Sequence, residues 1–267
     1  MDSKTDALYM QDNDVVSANA TVLACFLLRE LEEDLKPLFK GAPDESLVVV
    51  TDRTAFYAQG GGQPADAGQM RMTSSSPDKT ATFTVHSVRK SPSGTILHVG
   101  TFEDGSFTKG DTVEQTVDAA TRDLHSRIHD AGHIIGLAVH ALVDTIGAVE
   151  DTKAQHYPTV SYVEFKGTID GAHKAAIEAQ ANEIVDRDLP IQVKWWTMEE
   201  SRARCWCIPE ELVLEEDEKA RAVDVPGLGA YLCGGTHMKT TGGVGKIEVK
   251  KISRSKGSSK ISYAMKA

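Results

Sequence analysis

The chain has 267 residues, 40% of them hydrophobic and 25% charged, a formal net charge of −10 and four cysteines. That composition suits a globular protein of one large domain or two ordinary ones, and excludes a low-complexity or disulfide-scaffolded chain. No stretch approaches the roughly 18 uncharged apolar residues of a membrane span, and the opening MDSKTDALYMQDND has neither the basic nor the apolar part of a signal peptide, so a soluble, cytoplasmic protein is expected.

Up to residue 117 the apolar residues fall in short β-branched runs: Thr21 to Leu27, Leu47 to Thr51, Thr82 to Val88, Thr95 to Val99 and Asp111 to Val117. Gly, Pro, Ser and Asp clusters separate them. This pattern predicts a small antiparallel β-barrel over residues 1–116. Leu28 to Leu38 reads equally as a short helix or an irregular insert. Between the strands lies Thr51-Asp-Arg-Thr54-Ala-Phe-Tyr57-Ala-Gln-Gly60-Gly61-Gly62-Gln63-Pro64. Its three glycines let backbone approach a ligand without Cβ interference, and the Gln63 amide offers donors and an acceptor. On its own the segment reads as a plain glycine hairpin loop.

From residue 117 the texture changes to α+β, helices packed on an antiparallel sheet. Leu124, Ile128, Ile134, Ile135, Leu137, Ala138, Ala141, Leu142 and Ile146 recur at helical spacing and predict a long helix over 119–146. A second helix is expected from Gly171 to Arg187, stopped by Leu189-Pro190. Strands are expected over 161–165, 191–196, 222–225, 246–252 and 260–264, with Ser74 to Ser76 and Ser258-Ser259 as turns. Lys246 to Lys266 carries seven basic residues against one acid, Glu248. That segment reads either as a solvated strand pair guarded by its lysines or as an RNA-facing edge, with Lys250, Lys251, Arg254 and Lys256 as candidate phosphate contacts.

Inside the long helix, His125, His129 and His133 follow one another at intervals of four, so they project from one face. About a hundred residues on comes Cys233-Gly-Gly-Thr236-His237. A His pair alone is weak evidence, but with a Cys-x3-His pair it suits Zn²⁺, which accepts both nitrogen and sulfur. A zinc protease also places His-x3-His on a helix with Glu after the first His. Here that position is Asp130, one methylene shorter, and Gly132 stands mid-helix, so the protease reading is disfavoured.

Taken in order, DRTAFYAQGGGQPADAG, HSRIHDAGH, CGGTH and KTTGGVGKIEVKKISRSKG with the closing ISYAMK resemble the alanyl-tRNA editing protein family. That family comprises freestanding AlaX-type proteins and the editing domain of alanyl-tRNA synthetases. Ala58 and Leu232 depart from it where proline is common, which puts loop stiffness in doubt rather than chemistry. The resemblance implies one Zn²⁺ on His129, His133, Cys233 and His237, and a β-barrel domain carrying the GGGQ loop (1–116) followed by a zinc-binding editing domain (117–267). It implies hydrolysis of the ester on mischarged tRNA(Ala), with serine or glycine as the wrong amino acid.

Gly60, Gly61 and Gly62 would lie beside the active site. Thr54, Gln63 and Thr236 are candidate partners for a serine hydroxyl. Gln63 is expected to orient substrate, so that its loss slows the reaction without touching metal content or stability. Cys233 and Asp130 are the other candidate catalytic groups; Asp130, water acidified by the metal and the tRNA's own ribose hydroxyl remain alternatives for the base. A tRNA-binding module with a purely structural zinc, and editing of mischarged tRNA(Thr), are the competing readings.

Overall fold

A computed structural model describes residues 4–73, 80–208, 212, 214–215 and 218–266; the turn expected at Ser74 to Ser76 lies outside them. The chain divides into two compact units, Met1–Gly60 with Pro64–Arg122, and Gly61–Gln63 with Asp123–Ala267. The divide falls six residues beyond the one expected at 116. Asp118 donates its backbone N–H to the Ala67 carbonyl, and the Arg122 guanidinium pairs with buried Asp66 and reaches the carbonyls of Asn13, Val15 and Ala55. The tip of the glycine loop, Gly61 to Gln63, belongs to the second unit rather than to the barrel, because its polar groups are satisfied there.

The first unit contains β1 (Asp6–Ala7), β2 (Ser17–Leu27), β3 (Leu47–Thr51), β4 (Arg53–Thr54), β5 (Gly68–Met72), β6 (Thr82–Lys90), β7 (Ile96–Asp104) and β8 (Thr112–Val117). Six of them close an antiparallel barrel in the order β2-β3-β7-β6-β5-β8. Alternation along the strands sends Val22, Val49, Met70, Phe83, Val85 and Val113 to the interior. The opposite face of β3 and β7 would leave Val48, Val50, Leu97 and Val99 in water, and the undecided insert covers them. It folds as 3₁₀ turns at Leu28–Glu30 and Lys36–Phe39 that lay Leu28, Leu31, Leu35 and Phe39 on those four residues.

His98 sits wholly inside this unit. Its Nδ1 donates to the Val49 carbonyl at 3.0 Å, and its Nε2 accepts the Thr54 hydroxyl at 2.8 Å. Burial holds its pKa down to about 4, whereas an unfolded imidazole titrates near 6.5. Below pH 6.5 the unfolded chain therefore takes up a proton that the folded barrel refuses. The contribution of His98 is complete above 6.5 and drains as pH falls towards 4, by about 3 kcal/mol in all. In urea unfolding at pH 7.5 and 5.0, the wild type is expected to lose about 2 kcal/mol more than His98→Gln, which carries no titrating group. Equal losses would remove His98 as a source of acid sensitivity.

The second unit contains most of α1 (Ala119–Ala141), then α2 (Val143–Ile146), β9 (Glu150–Tyr157), β10 (Val160–Lys166), α3 (Lys174–Asp186), β11 (Gln192–Trp196), α4 (Met198–Arg204), β12 (Ala220–Val225), β13 (Gly229–Leu232), α5 (Thr241–Val244), β14 (Ile247–Ser255) and β15 (Ser258–Met265). Two antiparallel sheets form, β14-β15-β10-β9 and β11-β12-β13. Ile134, Ile135 and Ala138 of α1 and Ile177, Ala181 and Ile184 of α3 pack with Phe165, Ile247, Val249 and Ile261 in one core. The architecture is thus a β-barrel followed by an α+β unit, as the residue pattern predicts. Ser258 and Ser259 correct the expectation of a turn: they open β15, and the turn is Lys256-Gly257, both at positive φ. Among the described residues no helix is long and apolar enough to cross a membrane.

Candidate metal centre and its cavity

Four side chains of the second unit converge: His129 and His133 from α1, and Cys233 and His237 from the loop after β13. Their ligand atoms all lie within 4.8 Å of one another. His133 Nε2 is 3.1 Å and Cys233 Sγ 3.4 Å from His129 Nε2. Tetrahedral zinc bonds of 2.0–2.3 Å span donor separations of roughly 3.3–3.6 Å, and these two separations lie close to that range.

The outer nitrogens fix which atom each ring presents. Gln63 Oε1 accepts the backbone N–H of Thr236 at 3.1 Å, an obligate donor, so it is the amide oxygen that meets His129 Nδ1 at 2.7 Å. His129 therefore carries its proton on Nδ1 and turns the Nε2 lone pair towards the other three residues. Asp130 does the same for His237, its Oδ1 accepting from Nδ1 at 2.6 Å while Oδ2 accepts the Met238 N–H at 2.7 Å. His237 Nε2 is left buried with no hydrogen-bond partner. An unpartnered, inward lone pair facing two more imidazoles and a thiol is costly by itself and favourable around a cation.

Burial pushes the imidazoles towards their neutral form: His133 falls to about 3, and His129 and His237 lie well below the ordinary histidine value. Neutral rings are what a metal needs. Burial also raises the Cys233 thiol to about 11, against the Gly235 N–H that favours its anion. Metal binding there must displace that proton. Arg221 on β12 donates to the Cys233 carbonyl at 2.6 Å and anchors the loop.

A cavity of about 490 Å³, within the usual range for small-molecule sites, opens onto this cluster. Of the expected site residues, Gly61, Gly62, His129, His133 and Cys233 line it. Gly62 has φ +81° and a Cβ there would strike the Ala154 carbonyl, while its own carbonyl accepts the N–H of His156. The close approach requires glycine.

The other expected site residues are placed differently. Gln63, Asp130 and Thr236 are buried behind the cluster, and none lines the cavity. Thr236 Oγ1 is shared between Gln63 Nε2 and Ser126. Thr54 is spent on His98 and Phe56 N, and Gly60 on Tyr57. Lys250, Lys251, Arg254 and Lys256 are exposed on the β14–β15 hairpin; a bulge at Lys250 turns it outward beside Lys251. Lys250 pairs with Glu248, and Arg254 with Asp170.

Three lining residues carried no sequence signal that pointed here. His156 stacks on His129 with ring centroids 4.4 Å apart and contacts the Tyr263 hydroxyl at 2.6 Å. Tyr231 sets its ring edge-on to His133 at 4.8 Å. Asp151 accepts from Tyr231 at 3.3 Å. Tyr231 stands two residues before Cys233, but Cys233 lies beyond the end of β13, so strand parity does not single it out.

Among known proteins, the family model for class II (A) tRNA synthetases matches residues 2–121. The chain is similar to the alanine–tRNA ligase of Thermobifida fusca, with 30% identity over 209 residues, covering 77% of this chain and 22% of that protein. The alanine–tRNA ligase of Thermotoga maritima gives 29% over 213 residues, 78% of this chain and 23% of that protein. That of Geobacillus kaustophilus gives 29% over 254 residues, 93% and 26%. The chain spans about a quarter of the length of these curated relatives.

Proposed function

Because this chain belongs to the alanyl-tRNA editing protein family, related to part of alanyl-tRNA synthetases, we propose that it is a zinc-dependent hydrolase of the ester in mischarged tRNA(Ala), with Ser-tRNA(Ala) preferred and Gly-tRNA(Ala) next. The observation that carries the reading is the His129, His133, Cys233 and His237 cluster at a cavity walled by Gly61 and Gly62. A zinc ion there supplies a Lewis acid for an ester carbonyl or for water. Gln63 and Asp130 hold His129 and His237 in the ligating tautomer. Gly61 and Gly62 bring backbone, without side chains, to the edge where a ribose would lie.

The direct test is deacylation of Ser-, Gly- and Ala-charged tRNA(Ala), with and without chelator. Hydrolysis of the first two, sparing of the third and loss with chelator support the reading. Inertness towards all three, or a preference for mischarged tRNA(Thr), would overturn it.

The β14–β15 hairpin is proposed as the acceptor-stem surface. Charge reversal at Lys250, Lys251 and Arg254 together is expected to weaken tRNA binding and to flatten the dependence of log affinity on log salt by about one unit for each phosphate no longer neutralised. Lys250 and Arg254 already have acidic neighbours, so the change should fall below three units. A slope equal to that of the wild type would locate RNA binding elsewhere.

A further inference from the structure

We propose that Asp151 is the carboxylate that receives the α-ammonium group of the aminoacyl ester, and so is a substrate-positioning residue. The proposal rests on the reading of the cavity as an aminoacyl-ester site. Strand parity is the first observation. On β10 the core-facing residues are Ser161, Val163 and Phe165, whose cross-strand partners on β9 are His156, Ala154 and Asp151. Between Ala154 and Asp151 a regular strand would put Thr152 on that face. The register shift at Glu164/Phe165 leaves one extra residue on β9, and it is this bulge that turns Asp151 inward. An acid rotated into a wall that could have been threonine needs a use.

Its surroundings hold it there. Gly136 on α1 leaves room for the Tyr231 hydroxyl and for Asp151 Oδ1, both of which a Cβ would crowd. Tyr231 donates to Oδ1, and His140 Nε2 pairs with Oδ2. The His140 ring is in turn stacked on Trp206, centroids 4.0 Å apart and planes within 3°. Two partners occupy two of about four acceptor positions on a carboxylate, which leaves lone pairs for a ligand in the cavity that Asp151 lines.

Chemistry then selects the ligand. Every aminoacyl ester carries an α-amino group close to its carbonyl, cationic near neutral pH, and a cation beside a metal ion needs a counter-charge. Among the described residues two carboxylates line the cavity, Asp151 and Glu164; Glu164 stands on the outward face of β10 opposite Lys153, and Asp130 is not in the lining. Asp151 is thus the inward negative group on the wall reached from His133 through Tyr231.

The test uses binding to the intact chain, so that it does not depend on turnover. The probes are an amide-linked seryl adenosine, which cannot be hydrolysed at an ester, and its counterpart lacking only the α-amine, compared by calorimetry. The wild type is expected to prefer the amine by roughly 10- to 100-fold, the range of a charge-assisted hydrogen bond. Asp151→Asn should shrink that preference to about threefold or less while binding of the deaminated probe and zinc content stay unchanged. Should Asp151→Asn fail to fold, Asp151→Glu keeps the charge but moves it by a methylene and should also narrow the preference. A preference that survives substitution, or a wild type that binds both probes equally, overturns the role of Asp151 and leaves the proposed function standing. A wild type that binds neither probe sinks both.

Discussion

Cys233→Ala is expected to strip the protein of zinc under dialysis against a chelator and to slow deacylation of Ser-tRNA(Ala) by about a thousandfold, near 4 kcal/mol of transition-state stabilisation. The wild type should hold about one ion per chain. Cys233 is the one thiol among four donors; besides its 3.4 Å contact with His129 Nε2, its Sγ accepts a hydrogen bond from Gly235 N at 3.3 Å. Losing that bond costs about 1 kcal/mol. The loop stays fastened by Cys233 N to the Arg221 carbonyl and by Arg221 to the Cys233 carbonyl, neither of which involves the thiol. The core of Ile134, Ile177, Ile184 and Ile247 does not depend on it either. A folded, metal-poor and inactive variant is therefore the expected result, read by elemental analysis, circular dichroism and single-turnover deacylation. Global unfolding of the variant would assign the ion to the fold rather than to the reaction.

The four donors were legible because two kinds of spacing coincide. His129 and His133 lie one helical turn apart, and Cys233 and His237 flank two glycines that loop back, so residue type and interval point to a metal site, while the family resemblance selects these four and leaves out His125, which has the same spacing. The barrel strands were legible for the matching reason, that half-buried strands must alternate. β9 was not. Its sequence, Glu-Asp-Thr-Lys-Ala-Gln-His-Tyr, is that of a polar edge strand, paired on one side only and with a bulge that breaks the alternation at Thr152. Asp151 and His156 were hidden with it.

Gly132 and Gly136 stand inside α1, where glycine costs about 1 kcal/mol each against alanine. They are explained by what approaches them: His156 with Tyr263 at the first, and Tyr231 with Asp151 at the second. No pattern within α1 could announce partners from β9, β13 and β15.

Gln63 occupies a place in the structure that its sequence setting does not announce. An amide beside a glycine loop suggests a hand held out to substrate, with metal content indifferent to its loss. In the structure Gln63 is fully buried, and Oε1 accepts from His129 Nδ1 and Thr236 N while Nε2 donates to Thr236 Oγ1. Gln63→Ala is then expected to leave two buried donors without acceptors, at about 1–3 kcal/mol each, and to lower the melting temperature. It also frees the His129 ring to rotate or change tautomer, so zinc affinity should fall by roughly 10- to 100-fold and the deacylation rate with it. Gln63→Glu separates the two accounts. A carboxylate oxygen still accepts from His129 and Thr236. Its second oxygen accepts the Thr236 hydroxyl once Ser126, 2.7 Å from Thr236 Oγ1, becomes the donor in that pair. Zinc affinity should therefore be retained in Gln63→Glu and lost in Gln63→Ala, as measured by competition with a chelating dye. If Gln63→Ala binds zinc like the wild type and only its single-turnover rate falls, Gln63 acts on substrate after all, and His129 does not owe its ligating tautomer to that amide.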